Sequence, residues 1–163
     1  MELTEHQAQC AIIYPRYARG HIVLPNYTPP KWWECDVFEI TKAGYFREYE
    51  VKCSRSDFFN DSLKTRGKRN KHKLLQQGKG PVQFWFVTPQ GLVEKAEVPA
   101  FAGLIELVDE YGILGATEVV KAPRLHKSKT SLEPLAYLCA YHRYLSLFST
   151  IKRKKRRRKR KRR

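Results

Sequence analysis

Residues 34–58, ECDVFEITKAGYFREYEVKCSRSDF, hold two strand-like runs separated by a four-residue break, TKAG. Both alternate with the period of two that belongs to a β-strand. The spacing predicts strands over Trp33–Ile40 and Tyr45–Cys53, closed into an antiparallel hairpin by the break. On that geometry Glu34, Asp36, Phe38 and Ile40 share one face of the first strand. Glu48, Glu50, Lys52 and Ser54 share one face of the second. If TKAG closes the hairpin, position 40 pairs near 46 and position 36 lies near 50. Cross-strand neighbours stand about 4.5–5.5 Å apart. The other face, Cys35, Val37, Tyr49, Val51 and Cys53, is apolar and suits a core.

Two carboxylates held that close repel each other unless something neutralises them. A divalent cation such as Mg²⁺ or Mn²⁺ does so with hard oxygen ligands, and it keeps several waters. The predicted ligands are Asp36, Glu50 and the main-chain carbonyl of Val51. Lys52, two residues beyond Glu50 on the same face, is placed to orient an attacking water or to offset charge growing on a phosphate. The plain alternative is a surface hairpin in which Asp36, Glu48, Glu50 and Lys52 form weak ion pairs in water.

The rest of the chain surrounds this hairpin with helices and strands. Leu3–Tyr14 reads as a helix capped by Thr4 and stopped by Pro15. HIVLPNYTPPKWW is extended or irregular because of its prolines. SRSDFFND opens a helix with Ser54 or Ser56 as cap. KTRGKRNKHK, residues 64–73, reads as a mobile basic loop leading into a short helix near His72–Gln77. VQFWFVTP is a buried strand. LVEKAEV is expected as another strand, AGLIELVDEYG as strand or helix, and ATEVVKAP as a final edge strand. Ser131–Thr150 has helical periodicity. The order predicts one α/β domain over residues 1–150, with a central mixed sheet flanked by helices.

Charge narrows the partners. The chain carries a net charge of +16, and residues 152–163 are twelve consecutive lysines and arginines. The body is therefore mildly basic, and residues 151–163 are expected as a disordered polybasic tail. Such a run suits nucleic acid, anionic lipid or an import receptor. The polar N-terminus and the lack of a long apolar run argue against a membrane partner. The four cysteines, at 10, 35, 53 and 139, form no C-x-x-C pair and are expected as small buried hydrophobes in a reducing compartment. That compartment is a bacterial or phage-infected cytoplasm, or the nucleus in a eukaryote.

DVFEITKAGYFREYEVKCSRSDFFND resembles the core of the PD-(D/E)xK nuclease superfamily, and is most similar to the MmcB-type DNA-repair and phage nuclease relatives. FWFVTPQGLVEK, VPAFAGLIEL and VVKAPRLHK extend the resemblance over roughly residues 3–145. Cys35 stands where the superfamily's name has proline. The resemblance implies a restriction-endonuclease-like core and Mg²⁺- or Mn²⁺-dependent hydrolysis of DNA, duplex or branched, in repair, recombination or phage DNA processing. It implies that Asp36 and Glu50 hold the metal and that Lys52 positions the water. It adds Glu5 and Gln9 on the first helix as further site candidates, against an ordinary solvated helix face. It adds Arg55 as a phosphate contact, and Ser54 and Asp57 as site members or helix caps.

The basic loop supplies Lys64, Arg66, Lys68, Arg69, Lys71 and Lys73 for phosphate-backbone contact; its bland reading is solubility. His72 could approach the site but reads first as a surface histidine, and Trp85 reads as core rather than as a base-stacking residue. Trp32 and Trp33 are candidates for core or for base stacking. The residues assign no physical role to His126. The leading expectation is a Mg²⁺-dependent deoxyribonuclease. The rivals are a non-catalytic nucleic-acid-binding protein and a ribosome-associated or RNA-binding protein. The pattern leaves the oligomeric state open.

Overall fold

The computed structural model describes residues 3–29, 32–61, 65–66, 69–110 and 113–130, with the side chains of 65, 66 and 69 left out. The described residues up to Thr130 belong to one compact unit. The helix expected over Ser131–Thr150 and the polybasic tail lie outside the described residues.

The chain opens with α1 (Glu5–Ala18). The Thr4 hydroxyl accepts from the Gln7 amide, and the Gln7 side chain returns a bond to the Thr4 amide, a reciprocal cap. The helix does not stop at Pro15, which lies inside it. Arg16 holds the last turn: its guanidinium donates to the Ile12 carbonyl at 2.9 Å and lies over the Tyr49 ring. Tertiary anchoring here outweighs the amide bond that proline removes.

Three antiparallel strands follow: β1 (Ile22–Tyr27), β2 (Cys35–Ile40) and β3 (Phe46–Val51). The proline-containing segment around β1 is regular, and Pro25 is tolerated because β1 is an edge strand. Then come α2 (Arg55–Asn60), a two-residue ribbon β4 (Thr65–Arg66) and β5 (Arg69–Asn70), and α3 (Lys71–Gln76). The basic segment expected as a loop thus contains strand pairing and the start of a helix. β6 (Gln83–Pro89), β7 (Ala102–Glu110) and β8 (Ile113–Val120) complete a six-stranded mixed sheet of order β1-β2-β3-β6-β7-β8.

β6 is parallel to both β3 and β7. Parallel neighbours need a crossover that returns the chain to the other end of the sheet. That requirement overturns the strand expected over LVEKAEV. Residues 90–101 are the crossover from β6 to β7 and carry only a single 3₁₀ turn, Lys95–Glu97.

Both faces of the sheet are covered. Phe58 of α2 and Leu75 of α3 pack with Phe84, Phe86 and Leu104 on one face. On the other, α1 lies against the strands, and Tyr49 stacks on Trp85 with ring centroids 5.2 Å apart. Trp85 is core, as its run predicted. Gly103 of β7 permits a close approach: a Cβ there would lie 2.6 Å from the Ala122 amide and 2.6 Å from the Trp85 ring. Among the described residues no helix is long and apolar enough to cross a membrane. Cys35 is buried, but Cys53 is exposed and not part of the core, because strand β3 ends at Val51 and the chain turns into α2.

Candidate active site

The hairpin register is the one the break predicted. Ile40 pairs with Phe46 and Val37 with Tyr49, so Asp36 faces Glu50 across the two strands. The regular ladder ends at Val37 and Tyr49. The next inward-pointing amide, that of Val51, donates to Asp36 Oδ2 at 2.8 Å. A residue's N–H and C=O lie on the same edge of a strand, so the Val51 carbonyl also faces the Asp36 side. Lys52 stays in strand phase beyond β3, because its amide donates to the Val87 carbonyl at 2.9 Å.

These residues do not lie on a solvated surface. Glu48 is fully buried, and Lys52 is 1% and Glu50 9% exposed. Lys52 Nζ donates to Glu50 Oε1 at 2.8 Å and to Asp61 Oδ1 at 2.7 Å. Asp61 lies at the C-terminal end of α2, and its other oxygen meets His72 Nε2 at 2.7 Å. The first residue of α3, Lys71, places Nζ 2.6 Å from Glu48 Oε1 and 2.6 Å from Glu50 Oε2. The Trp33 indole N–H completes the shell on Glu48 at 2.8 Å. α2 and α3 are therefore clamps: Asp61, at the end of α2, holds Lys52 just beyond β3, and Lys71 of α3 holds Glu48 and Glu50 of β3.

The charges do not balance. Asp36, Glu48, Glu50 and Asp61 face two ammonium groups and one imidazole. Burial, reinforced by the Glu50 carboxylate, pushes Asp36 up to about 7, against the pull of the Val51 amide. Burial also raises Glu48, although Lys71 pulls it down. Burial opposes the charge on Lys52, yet Glu50 and Asp61 hold its ammonium well above the usual lysine range. Lys71 is held high in the same way by Glu48 and Glu50. Asp61, despite burial, is held far below the usual carboxylate range by His72 and Lys52.

Asp36, Glu50 and Lys52 thus converge as the spacing predicted. Of the two α1 candidates, Gln9 is buried, and its Nε2 donates to the Asp36 carbonyl at 3.2 Å and to Asn26 Oδ1 at 2.8 Å. Glu5 Oε1 accepts from the same nitrogen at 3.3 Å and contributes to the raised Asp36 pKa. Asn26 adopts the left-handed conformation, φ 47°, which asparagine tolerates better than most residues. Ser54 caps α2, its hydroxyl accepting from the Asp57 amide. Asp57 reaches to 3.8 Å of Lys52 Nζ.

Other candidates lie elsewhere. Arg55 is engaged by Glu97 and by the Leu92 carbonyl at 2.9 Å. Lys71 does not point to solvent but fills the gap between two carboxylates. Lys73 is exposed on α3. Lys64 and Lys68 lie outside the described residues, as do the side chains of Arg66 and Arg69. His72 is not a surface histidine: it is bound to Asp61 and packed edge-on against Phe101, ring centroids 5.2 Å apart. Spacing did not single out Asp61 or Trp33, and it placed Glu48 on the Glu50 and Lys52 face without making it a site residue. The signal for Glu48 was present in E-Y-E-V-K, where three charges fall on one strand face.

Hard oxygen donors on Asp36, Glu50 and the Val51 carbonyl, together with the excess of carboxylates, fit a divalent cation. Glu50 has both oxygens in ammonium contacts. Among the described residues no group of three or more His, Cys, Asp or Glu is arranged to hold a metal ion. Main-chain and water oxygens would complete the shell.

No protein-family model and no curated protein matches the chain. A solved protein of unknown function from Silicibacter pomeroyi is similar over 96% of this chain and 94% of its own, at 18% identity and a TM-score of 0.55. That likeness shows a shared α/β fold.

Proposed function

We propose that the chain is a metal-dependent phosphodiester hydrolase with a restriction-endonuclease-like core, acting on DNA. The observation that carries this reading is the convergence of Asp36, Glu50 and Lys52 at one end of the β2–β3 hairpin, inside a central mixed sheet flanked by helices. Asp36 and Glu50, with the Val51 carbonyl, would hold Mg²⁺ or Mn²⁺, which supplies Lewis acidity and a lowered water pKa.

The chain's own residues supply the rest. Lys52 is cationic at neutral pH, so it acts as a hydrogen-bond donor and fixed charge near the phosphate rather than as a base. Asp61, paired to Lys52 and steadied by His72, fixes where that ammonium points. Asp36, pushed up to about 7, gives up its proton when positive charge arrives beside it. Gln9 ties the main chain of Asp36 to α1 and so fixes the carboxylate's position.

Supercoiled plasmid tests this directly. The expected result is nicking that requires Mg²⁺ or Mn²⁺ and is lost in Asp36→Asn and Lys52→Ala. A second reading, a silent site in a DNA-binding protein, is favoured by one observation: both Glu50 oxygens already hold ammonium groups. Retention of plasmid in a gel-shift assay, without nicking in any sample, would select it.

A further inference from the structure

Segment 121–130, KAPRLHKSKT, contains Lys121, Arg124, Lys127 and Lys129 and no acidic residue. It is neither helix nor strand, yet it is firmly placed. The Leu125 amide donates to the Val82 carbonyl at 2.9 Å, and the Thr130 amide to the Gly44 carbonyl at 2.8 Å. Gln83 Nε2 donates to the Ala122 carbonyl at 3.0 Å. His126 acts as a pin. Its Nε2 meets the Gly80 carbonyl at 2.9 Å, while its Nδ1 accepts the Ser128 amide at 3.1 Å. A carbonyl only accepts and an amide only donates, so Nε2 is the donor and Nδ1 the acceptor in these two bonds.

The pinned segment crosses the sheet at the end where β6 begins, and it meets the turn of the β2–β3 hairpin. Arg124 lies over the Tyr45 ring at 4.3 Å, and Lys129 at 5.6 Å. A pocket of about 450 Å³ opens beside it, lined by Gln83, Lys121, Ala122, Pro123 and Arg124. In register with Gln83 is Arg47, whose buried Nε has no partner among the described residues.

Arg19, Lys42, Lys73, Lys79 and Lys95 are exposed as well, but the strap gathers four cations within nine residues, and these differ from the cations that carboxylates hold. Arg16, Arg47, Lys52, Arg55 and Lys71 each meet a carboxylate. Lys121, Arg124, Lys127 and Lys129 are exposed, and among the described residues none of them pairs with one. A rigid extended strap with four uncompensated cations, an aromatic ring and a basic pocket is a template for a polyanion with regularly spaced charges.

We propose that this strap and its pocket are a nucleic-acid backbone contact, separate from the carboxylate site; it rests on the nucleic-acid reading above for the identity of the polyanion. Four residues of β6, from Gln83 to Val87, separate the strap's end of the sheet from the Lys52 end, about 13 Å at 3.3 Å per residue. That length corresponds to about four base steps of one strand, within the span of a short oligonucleotide.

Lysine footprinting of the full chain with a 12-nucleotide DNA, in EDTA, tests the contact. Acetylation of Lys121, Lys127 and Lys129 should fall at least about fivefold when DNA is added. Replacing Lys121, Arg124, Lys127 and Lys129 together by Gln should flatten the slope of log K against log[salt] by about 2–4. It should leave turnover of bis(4-nitrophenyl) phosphate unchanged. Unprotected lysines, or an unchanged slope in the variant, overturn the proposal. So does equal protection by a free mononucleotide at the same phosphate concentration, which would make the pocket a site for free phosphate esters. Failure of the hydrolase reading shows separately, as no metal-dependent turnover of the small diester by the wild-type chain with the footprint intact.

Discussion

The ammonium of Lys71 lies 2.6 Å from Glu50 and 2.6 Å from Glu48, so one side chain from α3 bridges two carboxylates of β3. Glu48 has no exposure to water. Lys71→Met leaves it with only the Trp33 N–H, and breaking a buried pair by removing one partner costs about 3–5 kcal/mol. Without Lys71 pulling it down, Glu48 rises further, and protonation relieves the penalty. Denaturant titrations should therefore show a large loss at pH 8 and a smaller one at pH 5. An equal loss at both would mean that Lys71 contributes packing rather than charge.

Asp36 carries the opposite sign. Its folded pKa is about 7 against an ordinary 3.8, so its contribution to stability is fully present below about pH 4 and is lost as the pH rises through 7. Asp36→Asn mimics the protonated form and can still accept the Val51 N–H. The variant should melt above the wild type at pH 8 and close to it at pH 4, while nicking no plasmid. A melting temperature below wild type at pH 8 would contradict the raised pKa.

The site was legible where one rule governs it. Period two and the TKAG turn place Asp36 opposite Glu50 and Lys52 one step beyond, and these contacts need only the hairpin. Asp61 and Lys71 reach the same cluster from α2 and α3, 9 residues from Lys52 and 21 from Glu50 respectively. Their approach depends on how two short helices pack over Phe84 and Phe86, which no local pattern encodes. The same holds for His72, which stands between Lys71 and Lys73. Pro15 and the LVEKAEV run were misread for the converse reason: local preference yielded to the Arg16 anchor and to the parallel crossover.

Lys52 and Asp61 form the positioning pair. Asp61 is held below its ordinary pKa, so its contribution to stability is present above about pH 4 and fades as the pH falls further. A double-mutant cycle of Lys52→Met and Asp61→Asn should give a coupling energy of about 0.5–3 kcal/mol at pH 7. That coupling should shrink at pH 2.5 if the native state survives there. Activity should be lost in Lys52→Met and reduced in Asp61→Asn, mainly through turnover rather than substrate affinity.

Glu39 provides the control that separates fold from site. It is fully buried on the opposite face of the sheet, where it accepts from the Tyr49 hydroxyl and contacts His21, with Arg16 at 3.7 Å and Arg47 at 3.8 Å. Alternation puts it on the face away from Asp36 and Glu48. Glu39→Gln leaves two guanidinium groups without their shared counter-ion, an expected cost of about 3–5 kcal/mol. Because Glu39 itself contacts His21, Tyr49, Arg16 and Arg47 and no carboxylate of the cluster, protein that remains folded should nick plasmid at the wild-type rate per folded molecule. A rate that falls further than the folded fraction would mean that the two faces are coupled through β2 and β3.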